Sequence, residues 1–101
     1  MKVDEFVGEY YQCGSYTAEL AKAKKVTIVK DKDVCRIKGV KVWDSCRFVV
    51  HGDNRLRDSK KHIGDLVLGE MKFPDERGAR KVLRADFCYD YFVLVSTRPT
   101  N

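Results

Sequence analysis

The sequence predicts an α+β domain: an antiparallel sheet or partly closed barrel of five to six strands, with short N-terminal helices and one short helix before the last strand. Three observations carry this expectation. β-Branched or aromatic runs fall at 26–30, 34–37, 40–43 and 46–51, divided by connections of two or three residues, and connections that short join only antiparallel neighbours. Residues 85–96 alternate, with Ala85, Phe87, Tyr89, Tyr91, Val93 and Val95 on one face, the period of a strand. The segment TAELAKAKK at 17–25 is rich in strong helix formers.

Each element follows from local chemistry. Near the start, Val3, Phe6, Val7, Tyr10 and Tyr11 stand at offsets of three and four, with Asp4 as an N-cap and Gly14 as a terminator, which predicts a short amphipathic helix. A second helix over 17–25 offers mainly Ala and one Leu to a sheet. The four β runs then form a meander. Residues 52–62 read as a charged loop, and 65–73 (DLVLGEMKF) as a strand closed by Pro74, which has no N–H for a ladder. Pro74, Asp75 and Glu76 followed by Arg80 and Lys81 predict a helix over 74–83, its charges matched to the dipole. The long strand 85–96 and a frayed tail, 97–101, complete the chain.

At 101 residues there is room for one core and not for two, so 1–101 is read as a single domain. The 44% hydrophobic content is enough to offset ordering entropy and argues against disorder. The N-terminus shows acids at Asp4, Glu5 and Glu9 and no apolar core of a signal peptide, and no apolar run approaches the ~20 residues that span a bilayer. A soluble cytoplasmic protein is therefore expected. Cys13, Cys35, Cys46 and Cys88 are unevenly spaced and are read as reduced thiols packed as small hydrophobes.

The net charge of +5 is not spread evenly. Residues 1–25 are neutral, 26–51 carry six cations against three acids, and 52–84 carry nine against six. A positive middle favours encounter with polyanions or acidic protein surfaces without choosing between them. Within it, Arg55, Arg57, Lys60 and Lys61 lie in the charged loop, and a helix running on from residue 75 would bring Arg77, Arg80, Lys81 and Arg84 onto one side. Trp43, beside Lys41, Asp44 and Arg47, is either an exposed anchor for a partner or a wall of the core. The ladder Phe87, Tyr89 and Tyr91 resembles a base-stacking platform, but its apolar companions favour the core.

Catalytic readings are weaker. His51 and His62 flank the charged loop with Lys60 between them, the parts of a small metal-independent ribonuclease: base, acid and a cation for the phosphorane. An ordinary solvated loop explains the same residues with fewer assumptions. No metal site is expected, because Cys46 and His51 are an odd number of residues apart in one expected strand and no C-x-x-C or H-x-x-x-H pair exists. No cofactor motif of the Walker, dinucleotide, G-x-S-x-G, H-E-x-x-H or EF-hand type is present.

The resulting expectation is a non-enzymatic basic protein, monomer or small homo-oligomer, that docks on nucleic acid or on a nucleic-acid-handling protein through Arg55, Arg57, Lys60, Lys61, Arg80, Lys81 and Arg84. It would serve as an adaptor or a blocking inhibitor, as small phage or mobile-element accessory proteins do by analogy alone. A protein-only interface at Trp43 and exposed tyrosines, and the ribonuclease, are the two rivals.

Overall fold

Gly8 decides the N-terminal element. Its φ of +151° suits glycine and no helix, and the chain passes from a 3-10 turn at Val3–Glu5 directly into a strand, β1, Gly8–Cys13. A computed structural model describes residues 3–13, 23–60, 65–74, 76–85 and 93–99. Its architecture is a closed antiparallel barrel of eight strands, which replaces the expected α+β fold of five to six strands. The remaining strands are β2 Lys24–Asp31, β3 Val34–Lys38, β4 Phe48–His51, β5 Arg55–Asp58, β6 Asp65–Met71, β7 Arg80–Ala85 and β8 Val93–Ser96. Each pairs with the next, and β8 returns to β1. Closure matters because it gives every strand a neighbour on both sides.

Several local expectations yield to this closure. The helix expected around Val3 to Tyr11 is β1, since Tyr10 pairs with both Val26 and Ser96 and its backbone is used on two sides. Residues 24–25, placed in the second helix, open β2; residues 14–22 lie outside the described residues. The run 40–43 is no strand but a 3-10 turn, Lys41–Trp43, in which Trp43 N–H bonds Val40 O at 2.9 Å. Residues 55–58 of the charged loop form β5. The helix expected over 74–83 is overturned by β7, whose six residues all pair with β6 and three of which, Val82, Leu83 and Arg84, also pair with β8. The single strand expected over 85–96 is two: Val82, Leu83 and Arg84 of β7 face Val95, Leu94 and Val93 of β8. Residues 86–92, including Phe87, Tyr89 and Tyr91, lie outside the described residues. The strand beginning at Asp65 stands as expected. Thr97, assigned to a frayed tail, donates to Glu9 O at 3.0 Å.

Alternation then sorts the residues. Tyr10, Val26, Ile28, Cys35, Ile37, Phe48, Leu56, Leu66, Leu83 and Leu94 are buried in one core with Phe6 and Trp43, and each fully buried aliphatic or aromatic side chain contributes about 1.5–3 kcal/mol. These inward side chains of the described strands pack against one another. The buried Tyr10 hydroxyl donates to Phe6 O at 2.8 Å, which ties the 3-10 turn across the barrel end. Burial pushes the Cys35 thiol up to about 11, with Asp4 adding to the rise and Lys30 opposing it, so it packs as a protonated hydrophobe. A second apolar cluster of Val82, Val93 and Val95 occupies outward positions of β7 and β8, burying both faces of β8.

Gly39 turns the chain out of β3. Its φ is +109°, and a Cβ there would stand 3.0 Å from Lys25 O. Gly39→Ala therefore combines backbone strain with a backbone clash, each costing about 1–3 kcal/mol. A drop of about 10 °C in the thermal midpoint is expected by circular dichroism. An unchanged midpoint would mean that the turn relaxes freely.

Among the described residues no helix is long and apolar enough to cross a membrane. The outward positions of the strands carry Lys25, Arg36, Arg55, Arg57 and Arg84 together with Val29, Val49, Val67, Val82, Val93 and Val95.

Candidate nucleic-acid interface

Strand β5 is what converts the charged segment into a built surface. Its sequence, Arg55, Leu56, Arg57 and Asp58, sends Leu56 and Asp58 inward and both arginines outward. On β4 the registers His51 with Arg55 and Val49 with Arg57 place His51 on the same outer face. Ser59 N–H donates to Arg47 O at 2.8 Å, which prolongs the ladder and aligns Arg47 with that face. In the other direction Arg55 pairs with Val67 and Val67 with Arg84. With strands ~4.8 Å apart and ~6.7 Å between alternate residues, Arg47, His51, Arg55, Arg57 and Arg84 share one patch on β4 to β7.

Asp65, the first residue of β6, holds the centre of the patch. Its carboxylate takes Arg57 Nε at 2.8 Å and Arg57 Nη2 at 3.0 Å, a two-point contact, and Arg55 Nη1 at 3.0 Å. The carboxylate side chain is 5% exposed while the arginines remain 39% and 32% exposed. Two guanidinium groups therefore share one buried anion and keep a net positive charge toward solvent. The hydrogen bonds from Arg57 hold Asp65 down to about 2, against the opposing effect of burial and with help from Arg55. Arg47, His51 and Arg84 are exposed, and no ion pair joins them to a described residue.

The other expected site residues are placed differently. Arg80 turns to Glu76 at 2.6 Å and to Ser96 O at 2.9 Å, and lies 5.4 Å over the Phe73 ring. It braces a loop and is largely withdrawn from solvent. Lys81 Nζ donates to Glu5 O at 2.8 Å, at an inward register position on β7. Trp43 is 3% exposed and meets Phe48 edge-on at 5.7 Å, so it is a wall of the core. Lys60 is exposed beyond β5. Lys61 and His62 lie outside the described residues, so the pairing of His51 with His62 has no geometry to report. No group of three metal-ligating side chains occurs among the described residues.

A cleft of about 490 Å³ adjoins the patch where β4 and β5 begin and end, lined by Ser45, Cys46, Arg47, Asp58, Ser59 and Lys60. Asp58 is 1% exposed. Its Oδ1 accepts the Lys60 backbone N–H at 3.0 Å, while its buried Oδ2 accepts nothing from the described residues. Such an unmet acceptor costs about 1–3 kcal/mol, and polar groups left in this state in native proteins call for a reason. Cys46 stands nearby, its thiol pushed up by burial and then by Asp58, with Lys60 opposing. It is a protonated side chain of the wall and not an activated nucleophile.

Asp65, Arg47 and the Asp58 cleft were not singled out by sequence. Asp58 stood among the cations of the expected loop and Asp65 at the start of an expected strand; the period-two pattern Arg-Leu-Arg-Asp is the signal that could have set Asp58 on the face opposite the two arginines. Compared with family models, with curated proteins and with solved structures, the chain matches none.

Proposed function

We propose that this protein is a non-enzymatic nucleic-acid-binding module that engages phosphates through the outer face of β4 to β7, in the manner of an adaptor or a blocking inhibitor. One observation carries the reading: the cross-strand registers bring Arg47, His51, Arg55, Arg57 and Arg84 together, with Asp65 fixing the central pair. Arginines held in a set geometry lose less side-chain freedom when they meet a phosphate, and their planar forks suit its oxygens. Among the described residues the inward side chains pack into one apolar core, and the charged groups of the patch lie on the outer face. Among the described residues Cys35 and Cys46 are free thiols packed in the core and the cleft wall, which suits a reducing compartment, and the cytoplasm is the proposed site of action.

The test is the salt dependence of oligonucleotide binding, followed by fluorescence anisotropy for wild type, Arg47→Ser, Arg84→Ser and the double variant. Affinity should fall steeply between about 50 and 200 mM salt, and each substitution should flatten the log–log slope by roughly one. A flat salt response would point to a protein partner instead. RNA cleavage abolished by His51→Ala would move the protein among metal-independent ribonucleases.

A further inference from the structure

We propose that the outer face of β6 at Gly69 seats one unpaired nucleobase, lying flat on the strand between Val67 and Met71, while the adjoining phosphates meet Arg84 and Arg55. This rests on the phosphate-binding function proposed for β4 to β7 and deepens it: the preferred target is a single strand, or has a base turned out of its helix.

Nothing among the described residues requires glycine at position 69. Gly69 stands inside a strand, where glycine is poorly suited because it adds backbone freedom to the unfolded chain and brings no side chain to pack. Its φ lies outside the left-handed region, and a Cβ built on it would meet no atom within 4 Å beyond its chain neighbours. No bulge interrupts the strand there, since β6 and β7 pair rung by rung from Leu66 with Ala85 to Met71 with Arg80. The remaining causes of a strand glycine are a bend of the barrel and the close approach of a ligand or another backbone, and the stability of a filled variant separates the two. Gly69 is exposed, so a ligand reaches it from solvent.

The surroundings select a flat, uncharged ring system. Alternation puts Val67, Gly69 and Met71 on the outer face with the arginines, and the missing side chain leaves a hollow between Val67 and Met71, whose Cα atoms are about 13 Å apart. Gly69, Glu70, Met71, Val82 and Arg84 line about 190 Å³ of it. That is below the ~300 Å³ at which sites for drug-sized ligands begin, and it suits one ring system better than a whole nucleotide. Val82, opposite Gly69, belongs to the outer apolar cluster against which Met71 packs. A ring here gains an apolar wall and a polarisable thioether, which contacts aromatic rings favourably. Glu70 disfavours a bare anion in the hollow, so the phosphates fall to the arginines beside it. Every base has a π-face, and stacking of this kind is tolerant of sequence.

Charge and position name a nucleic acid as the occupant. Arg84 is exposed and follows Val82 by two residues on the same face, and Val67 links it to Arg55 across the ladder. Diagonal neighbours on a strand pair lie ~7–8 Å apart, so the Arg84 guanidinium is within reach of a phosphate attached to a base over Gly69. An aromatic side chain of a protein partner would cover the glycine without bringing an anion to the arginines.

The experiment compares, by fluorescence anisotropy at fixed salt, a labelled oligothymidylate of about ten nucleotides with an abasic strand of the same length. The full chain is expected to bind the base-bearing strand about tenfold more tightly, the effect of one stacked base. Gly69→Val fills the hollow with a side chain that suits a strand. It should keep or raise the thermal midpoint, keep the affinity for the abasic strand and erase the preference. Arg47→Ser, away from the hollow, should weaken both strands and leave their ratio intact. Equal affinity for the two strands, or a preference that survives in Gly69→Val, would overturn the base seat. A lower midpoint in Gly69→Val would overturn it too, by showing that the strand itself needs the glycine. Salt-dependent binding of both strands without a base preference would sink this inference and leave the phosphate face standing. Absence of salt-dependent binding to either strand would remove the broader function itself.

Discussion

Phe48→Ala is expected to leave the barrel largely unfolded at physiological temperature. Phe48 is fully buried, makes the edge-on contact with Trp43 at 5.7 Å, and is the residue through which β3 and β4 register, opposite Cys35. Truncating a buried Phe costs about 3–5 kcal/mol, and losing the aromatic pair adds roughly 0.5–1.5 kcal/mol. Small domains hold only about 5–15 kcal/mol in total. The loss also falls at the narrowest seam of the sheet, where one residue pair joins two strands, so no neighbouring rung is available to hold the closure. Trp43 is the single tryptophan of the chain and reports the transition by fluorescence. The urea midpoint should fall by on the order of 2 M, whereas Val7→Ala, at an exposed position, should change stability by less than about 0.5 kcal/mol. Equal midpoints for the two variants would show that the seam carries no special weight.

Replacing Asp65 is expected to be the next most damaging change, and its signature is acid sensitivity. Asp65→Ala leaves Arg55 and Arg57 facing each other without their shared anion. Breaking a fully buried pair costs about 3–5 kcal/mol; because both arginines are about one-third exposed, about 2–3 kcal/mol is the appropriate expectation. The pH dependence has a defined sign. The folded state lowers the Asp65 carboxyl from the ordinary 3.8 to about 2, so ionisation is linked to folding. The associated stability, about 2 kcal/mol, is fully present above pH ~4 and is lost as pH falls from there toward about 2. Denaturant melts of wild type across that window should show the decline, and Asp65→Asn should show little of it. Identical acid profiles for the two proteins would dismiss the clamp as a source of stability.

The same residues explain why the candidate face was only partly legible. Arg55 and Arg57 announced themselves by charge, and their role as surface cations needed no coordinates. Their rigidity did, because Asp65 is eight residues from Arg57 in sequence and becomes its neighbour only through the β5 to β6 register. Arg80 and Lys81 looked like two equivalent cations on a helix face. In the barrel they sit on β7, where alternation sends one outward against Glu76 and the other inward toward Glu5 O. A wrong period thus misplaced them both. Asp58 was hidden for the opposite reason: an acid between basic residues reads as solvated, and nothing local shows that its side chain points into the barrel.

Strand chemistry was legible in β2 and β3, whose β-branched side chains suit a pleated surface, and in the apolar run of β6, but the similar run 40–43 is a 3-10 turn. The amino-acid order alone thus determined an antiparallel, sheet-dominated chain with its positive charge concentrated in the middle. Tertiary structure decided that β1 and β7 are strands in spite of helical spacing, that eight strands close on themselves, and which arginines share a face. Helical spacing and local propensity are worth tenths of a kcal/mol per residue, whereas a segment that fills the gap between two strands gains a double ladder and buries its inner side chains. That larger gain is available only once distant parts of the chain have met.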